Sequence, residues 1–154
     1  MFRLVVAVAL GLVFSTSGRA QQSSPTPQSG SLVPFGIELE KMEWKRLSAA
    51  SGIESATVVG DRSKPGLYIQ VVRWPPHAIF KAHSHPDDRY AVVLSGTFYH
   101  GYGDKFDESK LEKRPAGSFF TEPARLRHFG VTKEEGTILY FVGTGPSTTD
   151  DVEK

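Results

Sequence analysis

Two histidines separated by one residue, His83 and His85, are the first side chains in this sequence whose spacing suggests chemistry. Residues two apart share a face of a β-strand, so an extended segment turns both imidazoles the same way. The preceding alternation adds Ile79 and Lys81 to that face. Two imidazoles there are costly to bury without partners, and a metal ion would satisfy both. The pair alone is weak evidence, because His-x-His also occurs on exposed strands.

A third histidine strengthens the prediction of a metal site. His128 lies in "GSFFTEPARLRHFG", residues 117–130, which has the pattern of a strand, a tight turn and the start of another strand. Three neutral imidazoles with open coordination positions suit a first-row transition metal. Because imidazoles bind metals only when neutral, we expect the metal affinity to fall below about pH 6.5. We expect no functional role for His77 or His100.

The elements that must position these side chains are short strands, because apolar residues recur with a period of two and Gly or Pro marks each junction. The predicted strand segments are 66–74, 78–85, 90–103 (two strands), 117–123, 126–132 and 136–143. One short helical piece is predicted at 106–113, where Asp107 can cap the first turn. Residues 42–50 fit either a strand and loop or a short helix. This rhythm indicates an all-β sandwich or barrel.

The two ends of the chain have different compositions from the strand-rich part. Residues 1–20 have a basic start, an apolar run from Leu4 to Phe14 and small residues before a predicted cleavage after Ala20, as in a secretory signal peptide. An uncleaved N-terminal anchor is the alternative. Residues 21–31 are polar and predict a disordered linker. We therefore expect a domain over 32–145, a flexible tail over 146–154, and a periplasmic or secreted protein.

Charge and cysteine content exclude several classes of function. The chain has no cysteine, so disulfides and thiolate ligands are excluded. It has 18 Lys and Arg, two of which leave with the signal peptide, against 17 Asp and Glu, so the mature net charge is −1. This balance argues against a nucleic-acid partner, which needs a basic face. We expect a small-molecule ligand, and no membrane association after signal cleavage.

The two histidine segments together resemble the two sequence motifs of the cupin superfamily. In the first motif, His83 and His85 take the paired histidine positions and Gly96 the closing glycine; in the second, Gly117, Pro123 and His128 fall in register. The resemblance covers about residues 66–143, and the sequence of this part is similar to that of small exported cupins. It implies a small antiparallel jelly-roll (cupin) β-barrel. It also implies a divalent metal held inside by the three histidines and usually one carboxylate.

Three positions depart from the cupin pattern. Histidine and arginine, His77 and Arg125, stand at two turn glycines, where the backbone usually needs a positive φ. The departure that matters is Arg89, at the position of the usual metal-binding glutamate, because an arginine cannot ligate a metal. Three arrangements follow: a metal held by three histidines alone, a metal completed by Glu122, or a metal-free site in which Arg89 and Glu122 pair. Asp87 and Asp88 are expected to face water in a turn.

The functional expectations follow from this resemblance. The first hypothesis is a metal-dependent enzyme, of oxygenase type, acting on a small anionic molecule that Lys81 or Arg89 orients. The divalent metal is Fe, Mn, Zn, Ni or Cu, and the catalytic residues are not assigned by the sequence. The second hypothesis is a non-catalytic ligand-binding or sensing cupin of the cell envelope, with or without metal. Cupins commonly form homodimers through an edge strand.

Overall fold

The computed structural model describes residues 35–47 and 52–153. The predicted signal peptide and linker, together with residues 48–51, lie outside these ranges. Eleven strands are present in the described part: β1 Lys45–Arg46, β2 Glu54–Val59, β3 Gly66–Trp74, β4 Ile79–Ser84, β5 Arg89–Ser95, β6 Thr97–Tyr102, β7 Glu112–Pro115, β8 Phe119–Glu122, β9 His128–Val131, β10 Thr137–Gly145 and β11 Asp150–Asp151. Two short 3₁₀ turns span Leu39–Lys41 and Glu108–Lys110. No helix in the described residues is long and apolar enough to cross a membrane.

The strands form two antiparallel sheets. One has the order β1-β2-β3-β10-β5-β8 and the other β11-β4-β9-β6-β7. The predicted all-β jelly roll is confirmed, with one correction. The sheets do not close into a continuous barrel but pack as a jelly-roll-like β-sandwich. The inward faces of both sheets supply the core, which contains Trp74, Phe98, Phe120, Leu139 and Phe141.

Strand β3 illustrates why the prediction of strands succeeds. Its bounds, Gly66–Trp74, are those predicted from β-branched and aromatic alternation. Tyr68, Gln70 and Val72 point inward and are buried, whereas Leu67 on the other face is exposed. The long antiparallel pairing with β10 fixes the register over the whole strand.

The predicted helix at 106–113 is replaced by a shorter turn and a strand. Asp107 does cap the turn, because its side chain accepts a hydrogen bond from the backbone N–H of Ser109, but the 3₁₀ helix covers only Glu108–Lys110. The chain then forms β7, which pairs with β6. A helix of two turns is marginal on its own, so pairing with the sheet edge wins over local propensity.

The C-terminal segment contains a short strand that the sequence does not predict. The expected flexible tail begins at residue 146, yet β11 pairs with β4 opposite Ser84 and His83. The backbone N–H of Val152 donates to the carbonyl of Ala82 at 3.0 Å. We call residues 147–153 the C-terminal strap, and it lies along the strand that carries the first histidine.

At both positions where a cupin turn glycine is replaced, the backbone has the positive φ that a glycine would adopt. His77 has φ 58° and Arg125 has φ 62°. The left-handed region is uncommon for non-glycine residues. The turn at Arg125 is held in place by its backbone N–H, which donates to the carbonyl of His85 at 2.7 Å. The motif conformation is therefore kept without the motif glycine.

Candidate metal centre

The three histidines come together where β4 and β9 pair. His83 lies directly opposite His128 in the register of the two strands, and His85 follows the end of β4. All three rings are buried, and one ligand atom from each lies within 4.8 Å of the others. The sequence prediction that these side chains converge is therefore matched by the structure.

Each ring is fixed by a backbone carbonyl. The Nδ1 contacts are His83 with the carbonyl of Lys81 (2.7 Å), His85 with that of Thr148 (2.6 Å) and His128 with that of Leu126 (2.9 Å). A carbonyl only accepts, so each Nδ1 carries the proton and each Nε2 keeps a free lone pair. This is how metal-binding histidines are usually oriented.

The Nε2 atoms are the unpartnered side of the rings. Those of His85 and His128 are buried and have no hydrogen-bond partner among residues 35–47 and 52–153. Buried polar atoms without partners are costly, and a divalent metal ion would engage their lone pairs. The donor set and its orientation therefore fit a metal ion.

Glu122 lies beside the histidines and is itself buried. Its Oε2 is 3.4 Å from His128 Nε2 and 3.9 Å from His85 Nε2. Ligands of one ion, each about 2.1 Å from it, are separated by such distances. The structure thus brings the predicted fourth ligand within reach, and ligation by Glu122 stays a prediction.

The same carboxylate is paired with Arg89. The two residues are register partners on β5 and β8. Arg89 donates from Nε to Glu122 Oε2 at 2.8 Å and also from its Nη2. Its guanidinium lies over the ring of Phe141, 4.6 Å from the centroid. This arrangement has features of two of the expected alternatives. The three histidines converge as they would in a metal site, and Arg89 pairs with Glu122 as expected for a metal-free site.

Burial sets the charge states of these groups. It lowers the pKa of His83 to about 4, and it also lowers the pKa of His85, in both cases as the largest cause. For Glu122, burial acts to raise the pKa, but the opposing charge of Arg89 and its neighbours holds it well below the usual value. These two histidines therefore keep the neutral form that metal binding requires to well below pH 6.5.

Lys81 does not share the face of the histidines. The pairing of β4 with β9 shifts register between Phe80 and His83, so strict alternation fails there. Ile79 and Lys81 are exposed, whereas the ring of Phe80 contacts that of His83, with centroids 4.3 Å apart. The expectation that Lys81 points with His83 is wrong because of this bulge. Its role towards a substrate stays a prediction.

The two aspartates after the histidine pair make structural contacts. Asp87 Oδ2 accepts a hydrogen bond from the hydroxyl of Tyr68 at 2.8 Å. Asp88 is exposed, and its Oδ1 accepts from the backbone N–H of Ala124 at 2.7 Å. Neither belongs to the cluster of described residues that could hold a metal ion, which is His83, His85 and His128.

Three residues near the site were not predicted to take part. His100 is 1% exposed, and its Nε2 lies 3.9 Å from Glu122 Oε1. Its alternation with Phe98 on β6 could have placed it inward. Arg62 lies close to His85, with its Nη2 3.4 Å from the ring Nδ1. Thr148 acts through its backbone carbonyl, which carries no side-chain signal.

These groups line one cavity. Its volume open to water-sized occupants is about 40 Å³, which is space for a few water-sized atoms. The polar wall contains the three histidines, Glu122, Arg89, His100 and Arg62, and the apolar wall contains Trp74, Phe80, Phe98 and Phe141. A pocket of apolar walls with a few convergent polar groups is the usual form of a small-molecule site.

Solved structures share this fold at low sequence identity. The polyketide cyclase RemF from Streptomyces resistomycificus is 13% identical, with a TM-score of 0.67 over 79% of this chain and 87% of that one. KdgF from Halomonas sp. is 18% identical, with a TM-score of 0.58 over 73% and 94%. The DMSP lyase DddQ from Ruegeria pomeroyi is 16% identical, with a TM-score of 0.57 over 70% and 60%. At these identities the likeness shows the fold alone.

A family assignment comes from the sequence match. No curated protein matches the chain. The family described as "ChrR Cupin-like domain" matches residues 33–148, which is most of the chain and includes all three histidines and Glu122. The chain belongs to this family of ChrR cupin-like domains, and so to the cupin superfamily.

Proposed function

We propose that this protein is an exported, metal-dependent cupin enzyme that acts on a small anionic molecule by oxygenase-type chemistry. One observation carries the metal part of the proposal. Three buried imidazoles each donate Nδ1–H to a backbone carbonyl and converge on one another with their remaining ring nitrogens. Such a donor set is compatible with Fe, Mn, Zn, Ni and Cu.

A bound metal would supply Lewis-acid chemistry and, for a redox-active ion, activation of dioxygen. The residues of the chain supply the surroundings. The backbone carbonyls hold the rings of His83, His85 and His128 in one tautomer, and Arg89 holds Glu122 in place as an ionised acid. The aromatic wall of the cavity excludes water and strengthens electrostatic interactions there.

A second candidate is a non-catalytic ligand-binding or sensing cupin of the cell envelope. The pair of Arg89 and Glu122 favours it, because the buried carboxylate is satisfied without any metal. Such a site would keep its structure when no metal or ligand is bound to the histidines. A protein that binds its ligand reversibly needs this property.

The experiment that tests metal binding is elemental analysis of the purified protein. We compare the natural chain with the double variant His83→Ala, His128→Ala and with a control, His77→Ala, which removes an exposed histidine. We expect one metal per chain in the natural protein and the control, and none in the double variant. Equal metal content in all three would refute the site.

The reaction class needs its own measurement. Oxygen uptake is recorded for protein loaded with Fe²⁺ and with Zn²⁺ in the presence of short organic acids. Uptake that depends on iron and on His128 supports the oxygenase-type reaction. Metal binding with no turnover of any supplied acid supports the sensing cupin instead.

The proposal includes the cellular setting expected from the sequence. The mature protein would begin after Ala20, reside in the periplasm or outside the cell, and bind a small molecule, with neither nucleic acid nor membrane as a partner. It would form a homodimer of the kind common among cupins. Mass spectrometry of the exported chain and its mass in solution test these statements, and a retained N-terminus would contradict export with cleavage.

A further inference from the structure

Arg62 is a guanidinium on the cavity wall that no carboxylate of the described residues neutralises by direct contact. Among residues 35–47 and 52–153, its side-chain contacts are with Thr149 Oγ1, 2.9 Å from Nη2, and with the ring of His85. Within the described part of the chain its Nε is buried and has no hydrogen-bond partner. Buried donors that lack acceptors are unfavourable, so these neighbours do not fully satisfy the guanidinium.

The neighbouring arginine does not compensate Arg62 but opposes it. Burial lowers the pKa of Arg62, and the positive charge of Arg89 lowers it further. Arg89 is already paired with Glu122, whose Oε2 it contacts directly. The carboxylate of Asp87 acts on Arg62 only from beyond ion-pair distance, and its Oδ2 is taken by Tyr68.

The charged side chains that line the cavity leave it positive. Two guanidiniums, Arg62 and Arg89, face one lining carboxylate, Glu122, whereas Asp87 acts on Arg62 from outside the lining. A divalent metal on neutral histidines would add to this positive charge. An anionic ligand would offset the charge at Arg62, the lining guanidinium that no carboxylate of the described residues contacts directly.

We propose that Arg62, held by Thr149, binds the carboxylate of a short organic acid at the edge of this cavity. This inference rests on the proposed function, which identifies the cavity as the binding site. It adds the class of molecule that binds there and the residue that recognises the molecule. Arginine fits this task because its planar fork matches the two oxygens of a carboxylate. The small volume of the cavity restricts the ligand to an acid of few atoms.

The residue differs from the two anion-binding candidates expected from the sequence. Arg89 is occupied by Glu122, and Lys81 lies on the exposed face of β4. Thr149, on the C-terminal strap, orients the guanidinium through its hydroxyl. The strap therefore contributes to recognition as well as to the fold.

The test is a titration with acetate, followed by the chemical shifts of the protein in NMR spectra at constant ionic strength. Acetamide, which has the same shape without the charge, is the neutral probe. The variant is Arg62→Gln, and the matched control is Lys64→Gln, which removes an exposed cation from the same turn. We expect saturable acetate binding in the natural chain and the control, at least about tenfold weaker binding in Arg62→Gln, and none of acetamide.

Two further variants keep the test decisive if Arg62→Gln does not fold. Arg62→Lys keeps the charge but loses the fork, and Thr149→Val removes the hydroxyl that holds the guanidinium. Both should weaken acetate binding. Natural affinity in every folded Arg62 and Thr149 variant, or an equal loss in Lys64→Gln, would overturn the proposal.

Zinc titrations without acetate separate this proposal from the metal site. If the natural chain binds no zinc but its acetate binding still depends on Arg62, metal binding fails and the anion site stands. If zinc binds normally in Arg62→Gln and acetate affinity is unchanged, the metal site stands and the anion site fails.

Discussion

The two sides of the candidate centre solve the problem of burying polar groups in opposite ways. On the histidine side, formed by His83, His85 and His128, every Nδ1 is satisfied by a backbone carbonyl. The buried Nε2 atoms of His85 and His128, however, have no hydrogen-bond partner in the part of the chain that the structure describes. On the acid side, formed by Arg89 and Glu122, two side chains satisfy each other across paired strands.

This difference indicates which part of the site requires something from outside. Buried polar atoms are nearly always paired in native proteins, so the histidine side is the part of the site that could take up a metal ion or another ligand. The acid side is complete already. The position where cupins usually place a metal-binding glutamate holds Arg89, and its register partner on β8 is Glu122.

The largest effect should come from breaking the acid side. In Arg89→Met, Glu122 stays buried without its partner, so we expect the free energy of unfolding to fall by about 3–5 kcal/mol. Urea denaturation measures this loss. The double variant Arg89→Met, Glu122→Gln should recover part of the stability, because it removes the unpaired charge.

An exposed ion pair is the control for that prediction. Lys41 and Glu38 are both 69% exposed, and Lys41→Met should change stability by about 1 kcal/mol or less. If Arg89→Met is no more costly than Lys41→Met, the acid side is not the self-sufficient pair that the comparison requires.

The second prediction separates the two sides by pH. The folded-state pKa of His83 lies below its unfolded value, so the unfolded chain binds more protons between pH 6.5 and about 4. The free energy of unfolding should therefore decrease as the pH is lowered through that window, by at most about 1.4 kcal/mol per pH unit for each such histidine. The pKa of Glu122 is also depressed, so its contribution is present above about pH 4.5 and is lost at lower pH.

Denaturation midpoints between pH 7 and pH 3 check this prediction in the metal-free protein. His83→Phe should flatten the upper part of the profile, whereas His77→Ala, at an exposed position, should leave it unchanged. A stability that is constant from pH 6.5 to 4.5 would contradict the neutral, buried state of the histidine side.

The sequence predicts most of the fold because the pattern that specifies the strands is local. Alternation of β-branched and aromatic residues gives the bounds of β3, Gly66–Trp74, without further information. The short strands β7 and β11 carry charged residues and no alternation, so only pairing with a neighbouring strand defines them. Their prediction would need the tertiary structure, which local propensity does not contain.

The candidate site divides in the same way. The histidines are predicted by two motifs that each lie within one segment of the chain. The partners that complete the site come from elsewhere: Thr148 contributes a backbone carbonyl from the C-terminal strap, and Arg62 a side chain from the turn before β3. The sequence near His85 does not indicate either partner, because both contacts are made by distant segments of the chain.

The third prediction tests the strap as a support of the histidine side. A chain that ends at Pro146 lacks the Thr148 carbonyl that accepts the Nδ1–H of His85. Loss of such a partner typically weakens metal binding about 10–100-fold, and zinc titration measures it. A chain that ends at Val152 keeps β11 and Thr148 and should bind zinc normally. Equal affinities in the two truncated chains would mean that the strap does not orient the ring.

The smallest effect is expected at the turn that leads into the histidine side. Arg125 has a positive φ, and its backbone N–H donates to the carbonyl of His85. In Arg125→Gly the strain is relieved and the hydrogen bond is kept, so the net gain in stability should be below about 1 kcal/mol, with zinc affinity unchanged. Arg125→Ala keeps the unfavourable φ and serves as the control, so equal melting temperatures for the two variants would contradict the strain. Neither variant changes Arg89 or Glu122, so the acid side stays the same in both. If zinc affinity changed together with the melting temperature, the backbone of this turn, and not the three rings alone, would set the geometry of the histidine side.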